Sequence, residues 1–304
     1  MSGTHNQAVI FTKPVHHLEM DLTPVHLAEL AKSFFESKGV KVVMSKEVTG
    51  NELAERDIIK HHYRMYSEAS RVVVIDDLDI SHEGREKFKT AFGRKWDAEI
   101  KAKRLLSTTE LLKNRNINVY QLFDAWNRLF AGGQTVKLQD GVIMGYIDEL
   151  DAYCINAFYP SMEANFYNSE TLLYYYVVEF DPAQVSWKEF RKKVLGATNS
   201  SNAVPGSFRG KLYSKYPVQF PGRDNFVHGS AGPVEGFVER IIHEADFVAD
   251  TNPVGNYLLE RDISAEAFKR WQNNLSIAQL GDLFDRTEEM NVSEVFAVLD
   301  AIQF

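Results

Sequence analysis

The chain has 304 residues, of which 44% are hydrophobic and 25% charged, enough for one large core or two modest ones. Its formal charge of −8 argues against a nucleic-acid partner, which needs clustered Lys and Arg, while leaving room for a local basic pocket around a small anion. The single cysteine, Cys154, excludes an intramolecular disulfide and a multi-cysteine zinc site and points to a reducing compartment.

The N-terminal segment has no basic-then-apolar leader layout, and the longest apolar run, LLYYYVV at 172–178, is far below the ~20 residues of a membrane span. The expectation is a soluble, cytoplasmic protein with no membrane partner.

In chain order, AVIFTKP (8–14) reads as a short buried strand stopped by Pro14. Over 23–38, Leu27, Leu30, Ala31 and Phe34 recur at helical spacing, with Pro24 in the first turn and Gly39 after the end. VKVVMSKEVT (40–49) is β-branched and strand-like, and 50–66 returns to helix. The stretch 83–116 reads as charged amphipathic helix, and 119–130 as a helix ended by Gly132 and Gly133. A hairpin is expected over 134–150, around Asp140-Gly141. Basic residues between Lys87 and Lys103 alternate with acidic ones, so they predict a solvated helix face.

Beyond 157 a compact pattern resumes. TLLYYYVVEF (171–180) is a buried strand; SWKEFRKKVLG (186–196) is a helix capped by Ser186 and closed by Gly196. YPVQF (216–220) reads as the next strand, 233–245 as a helix, and 251–304 as a helical extension with Asp262 or Ser264, and Ser276, as caps. Setting 67–156 aside leaves β-α-β-α twice. That order predicts an α/β (α+β) sandwich, with helices on one face of an antiparallel sheet. The expected organisation is a discontinuous core (1–66 and 157–250), an inserted, mostly helical subdomain (67–156) and the extension.

The chemistry gathers around GRDNFVHGSAGP (222–233), where His228 lies among Gly222, Gly229, Ser230 and Gly232. Small neighbours suit a histidine that must meet a ligand. Asn225 precedes it by three residues, and Glu239 follows by eleven, almost two turns into the expected helix. A carboxylate or hydroxyl bonded to one ring nitrogen fixes the tautomer and leaves the other as a nucleophile. Upstream, Thr198 and Arg209 supply a hydroxyl and a planar fork, and Lys13 ends the first strand beside a proline turn. Lys, Arg, Thr and a neutral His form a phosphoryl-transfer set, since that reaction rests on positioning and charge neutralisation. The pairs His16-His17 and His61-His62 are poor chelators because adjacent side chains diverge, so no protein metal site is expected. FAGGQTVKL (130–138) lacks P-loop spacing.

NFVHGS resembles the Asn-x-x-His-Gly-Ser-Asp signature of nucleoside diphosphate kinases. VIFTKP, KHHYRMY and LGATNSSNAVPGSFRG are similar to three further segments of that family in the same order, so the resemblance covers 8–66 and 157–245. It implies a ferredoxin-like βαββαβ core, to which this chain adds the helical insertion and tail read above. The implied activity is transfer of a γ-phosphate from a nucleoside triphosphate to a nucleoside diphosphate. His228 would carry the phosphate, supported by Ser230 and Glu239. Lys13, Tyr63, Lys192, Thr198, Arg209 and Asn225 would contact nucleotide, and Phe158 would stack on the base. Magnesium (Mg2+) would be held through the nucleotide's phosphates, and the assembly would be a homo-oligomer.

Three departures stand out: Ala231 replaces the signature's aspartate, Lys192 stands where arginine is expected with Arg191 beside it, and the loop between Arg209 and His228 is longer. They keep open an alternative, a catalytically weak nucleotide-binding or scaffold module whose insertion and tail mediate protein interactions.

Overall fold

The computed structural model describes residues 5–264 and 283–301. The chain divides into two compact units, one of residues 1–53 with 169–304 and the other of residues 54–168.

The first unit is built on four strands: β1 (Asn6–Thr12), β2 (Lys41–Thr49), β3 (Leu172–Phe180) and β4 (Val227–Gly229). They lie in the order β2-β3-β1-β4 with every neighbouring pair antiparallel. That order, with a helix at Pro24–Ser37 between the first two strands and further helix between the last two, is the ferredoxin-like βαββαβ arrangement. The 24–37 helix starts where the sequence places it: the Thr23 side chain accepts the His26 N–H and Pro24 fills the first turn. Ser186 and Glu189 form a capping box, but the helix they start becomes a π-helix over Phe190–Leu195.

Alternation along β1 separates two faces. Ala8 and Ile10 join the core beneath the 24–37 helix and the 187–195 segment, with Phe35, Trp187 and Phe190 fully buried. On the other face, Gln7 receives Arg240 Nη1–H at 2.8 Å and Phe11 packs on His243 at 5.2 Å between ring centroids, so the helix Pro233–His243 covers that side. Helices therefore lie on both faces, where the sequence predicts one.

Two further expectations are corrected. YPVQF is not a strand: the Tyr216 N–H still closes the preceding helix on Leu212, and the following prolines break any ladder, so the fourth strand is the short piece carrying His228 itself. The stretch 83–116 is not one helix. Gly93 ends the helix His82–Phe92 at φ +66°, and the chain continues as Trp96–Lys101, a two-residue strand at Leu105–Leu106, and Thr108–Asn114.

The described part of the extension forms helices Pro253–Leu259, Leu283–Thr287 and Val292–Asp300. Asp262 sits at φ +58° after the first of these, and the expected cap at Ser276 lies outside the described residues. Val292, Val295 and Leu299 are buried against Val234, Phe237 and Val238 of the 233–243 helix. The Asn6 side chain bonds both the Asn291 side chain and the Val292 N–H, at 2.9 and 2.8 Å, which ties the extension to the start of β1.

The second unit takes in 54–66 and 157–168 as well as 67–156. Its four-stranded sheet contains the expected hairpin, Thr135–Gln139 with Val142–Ile147, turning at Gly141 with φ +71°. Ala152–Ile155 and Leu105–Leu106 complete that sheet. Asn118 and Gln121 cap the helix Val119–Ala131, which packs Leu122, Ala125, Trp126 and Leu129 into the unit's interior.

Candidate active site

β4 pairs with the end of β1 so that His228 stands opposite Phe11, and the two rings stack at 4.7 Å and 19°. This fixes the plane of the imidazole. Its Nε2 lies 2.6 Å from Glu239 Oε1, and Glu239 Oε2 accepts the Ser230 hydroxyl at 2.6 Å. Ser230 in turn accepts the Val9 N–H at 2.8 Å, so its own position is set by the sheet. The expected helix therefore delivers Glu239 to the ring, as the eleven-residue spacing anticipates.

Gly229 and Gly232 serve close packing. A Cβ on Gly229 would come within 2.7 Å of the Leu195 side chain, and one on Gly232 within 2.6 Å of the Thr287 carbonyl oxygen. Nothing lies near a Cβ built on Gly222.

Arg209 is buried and its guanidinium grips the chain: Nη1–H donates to the Gly196 carbonyl at 2.7 Å and Nη2–H to the Val227 carbonyl at 2.6 Å. Nε–H reaches the Asn225 carbonyl at 3.3 Å, and Nη1 also meets the Thr198 hydroxyl at 3.4 Å. Between those carbonyls, Phe226 is held in the left-handed region at φ +65°, a conformation that persists only where its surroundings enforce it. Asn225 donates to the Gly222 carbonyl, and its buried Oδ1 has no hydrogen-bond donor among the described residues.

Lys13 is buried at the end of β1. Burial pushes its ammonium down to about 7, with Arg209 and Arg223 adding to the effect and Asp224 opposing it. Asp224 is itself buried, which pushes its carboxyl up. The hydrogen bonds from His17 (3.0 Å) and the Arg223 fork (2.7 and 2.9 Å) more than offset that and hold it below its usual range. His228 is lowered to about 3, first by burial; Lys13, Arg209 and Arg191 push the same way while Glu235 opposes. The ring is neutral at neutral pH, yet its side chain is 15% exposed, enough for one edge to meet solvent.

The fold thus brings together Lys13, Thr198, Arg209, Asn225, His228, Ser230 and Glu239. Lys192 is exposed and pairs with Glu289 of the extension at 3.1 Å, while Arg191 pairs with Glu288. Tyr63 and Phe158 fall in the second unit. There Tyr63 joins the helices Ile58–His62 and Arg64–Arg71, and Phe158 packs edge-on against Tyr66 and tilted on Trp126.

Several site residues escape the sequence reading. Glu235 accepts the Ala231 N–H and is pushed up to about 7, chiefly by burial and then by Glu239. Its position four residues before Glu239 on a helix is the signal that would have found it. His17, Arg223 and Asp224 leave no comparable local signal, because tertiary folding alone unites them.

No family model matches the sequence, and no curated protein matches it. Among solved structures, the chain is similar to nucleoside diphosphate kinase from Encephalitozoon cuniculi, with 14% identity and TM-score 0.37 over 79% of this chain and 90% of that one. It is similar to the Borrelia burgdorferi nucleoside-diphosphate kinase with bound vanadate and ADP, with 14% identity and TM-score 0.35 over 80% of this chain and 88% of that one. An NDP kinase from Pyrobaculum aerophilum aligns with 17% identity and TM-score 0.36 over 80% of this chain and 97% of that one.

Proposed function

We propose that the first unit is a nucleoside diphosphate kinase-like phosphotransferase, moving the γ-phosphate of a nucleoside triphosphate to a nucleoside diphosphate through a phosphohistidine at His228. The observation that carries this reading is the Ser230–Glu239–His228 chain. Once ionised, Glu239, oriented by the Ser230 hydroxyl, accepts the Nε2–H and leaves the lone pair on Nδ1. A neutral, aligned imidazole is a nucleophile that needs no deprotonation before attack.

In the first half-reaction Nδ1 attacks the γ-phosphorus, an N–P bond forms, and the P–O bond to the β-phosphate breaks with its electron pair leaving on the nucleoside diphosphate. A second diphosphate reverses the step. Lys13 gains its proton as phosphate enters, since an anion beside it favours the charged form.

The site's carboxylates are engaged by Nε2, the Ser230 hydroxyl and the Ala231 N–H, a donor set that suits magnesium carried on the nucleotide's phosphates better than a protein cage. When bound, it supplies charge neutralisation at those phosphates.

A second reading, a nucleotide-binding or scaffold module with little turnover, draws on the cations. Arg209 spends its fork on backbone carbonyls, and Arg191 and Lys192 pair with glutamates of the extension. The test is incubation with magnesium and γ-labelled ATP. The kinase reading expects an acid-labile, base-stable label, discharged by added nucleoside diphosphate and absent in His228→Ala. Nucleotide binding without label would leave the second reading standing.

A further inference from the structure

Glu235 and Glu239 stand one turn apart on the same face of the 233–243 helix. Glu239 meets His228 Nε2 at 2.6 Å, and the Glu235 carboxylate accepts the Ala231 N–H in the turn that leads from His228 into the helix. We propose that Glu235 is a positioning residue that sets the proton state of Glu239, and through it which nitrogen of His228 holds the lone pair. The inference rests on His228 being the nucleophile.

With Glu239 ionised, Nε2–H donates to it and Nδ1 holds the lone pair. With Glu239 protonated, its O–H donates to Nε2, the ring takes its proton on Nδ1 from solvent, and the nucleophile is lost. A second carboxylate in the same dry site resists ionisation of the first, so the two titrate as a pair. Burial pushes Glu235 to about 7, with Glu239 adding to it, and burial pushes Glu239 to about 8 against the Ser230 hydrogen bond. Other groups facing this pair include His228 on β4, Tyr175 on β3, Arg191 on the 190–195 π-helix, and, across the ring, Lys13 and Arg209. Arg191 is itself held by Glu288 and Glu289 of the extension.

Glu235→Gln removes the charge but keeps an oxygen for the Ala231 N–H. The ring ¹⁵N shifts of His228 are followed against pH in the full chain without nucleotide, alongside the rate of labelling by γ-labelled ATP. The pH at which the ring adopts the Nε2–H tautomer is expected to fall by about one unit in Glu235→Gln, and the acid limb of labelling to follow it. Superimposable ¹⁵N profiles for wild type and Glu235→Gln overturn the proposal. So does a shift seen in Glu235→Ala but not in Glu235→Gln, which would make Glu235 a packing residue only. If no label forms in any variant the kinase reading fails, while the ¹⁵N titration still decides the role of Glu235.

Discussion

Arg209 donates through Nη2–H to the carbonyl of Val227 at 2.6 Å, one residue before His228. Three carbonyls, those of Gly196, Asn225 and Val227, share this one buried cation. It locks the chain on either side of Phe226, whose left-handed conformation costs about 1–3 kcal/mol if unsupported. Arg209→Met keeps much of the bulk and strands those acceptors, so it is expected to lose about 3 kcal/mol in urea unfolding. Arg209→Lys cannot span three carbonyls and is expected to lose most of that amount. Wild-type stability in Arg209→Met would show that the clamp is dispensable.

The same guanidinium illustrates what a sequence conceals. The three long strands are legible because β-branched and aromatic runs such as 171–180 have few other solutions. The place of Glu239 is legible in part, since it falls almost two turns into the expected helix, where a carboxylate can face back toward the His228 loop. Arg209 is legible as a basic residue near small ones, but its partners are carbonyls whose direction only the folded loop defines. The short β4 hides for a different reason: with three residues, its pairing to Thr12, Phe11 and Ile10 comes from β1 and not from its own propensity. The π-helix at 190–195 and the contact of Thr287 with Gly232 leave no local pattern at all.

Lys13 gives a pH signature that does not depend on the functional reading. Its folded value is near 7 and its unfolded value near 10.5, so between those limits the unfolded chain holds a proton that the native state lacks. The lysine's contribution to stability therefore rises with pH across that window, by up to about 1.4 kcal/mol per unit. Below pH 7 the full cost of burying the charge is present. Glu235 and Glu239, raised to about 7 and 8, act in the opposite sense, but only up to about pH 8. From pH 8.5 to 9.5 the buried Cys154 thiol, pushed up to about 12, keeps a proton that the unfolded chain loses and lowers stability as pH rises. The lysine is therefore read from the difference in unfolding free energy between wild type and Lys13→Met. Lys13→Met is expected to be more stable than wild type at pH 7, and that margin to shrink as pH rises through the window. Parallel slopes in the two proteins would mean that Lys13 keeps its charge in the native state.

Gly232 separates close approach from conformational freedom. Its φ is −161°, extended backbone that any residue adopts, so an alanine there meets no dihedral penalty. What it meets is the Thr287 carbonyl oxygen, 2.6 Å from the new Cβ. The extension cannot simply step back. Val292, Val295 and Leu299 are buried, and the Glu289 N–H bonds the Ala231 carbonyl at 2.9 Å, in the turn being altered. Gly232→Ala is therefore expected to cost about 1–3 kcal/mol and to speed proteolysis within the extension. Gly222→Ala adds a methyl where nothing lies within 4 Å, and is expected to stay within about 0.5 kcal/mol of wild type. Equal stability of the two variants would mean that the extension does not press on the His228 turn, and that Gly232 is small for the sake of a ligand after all.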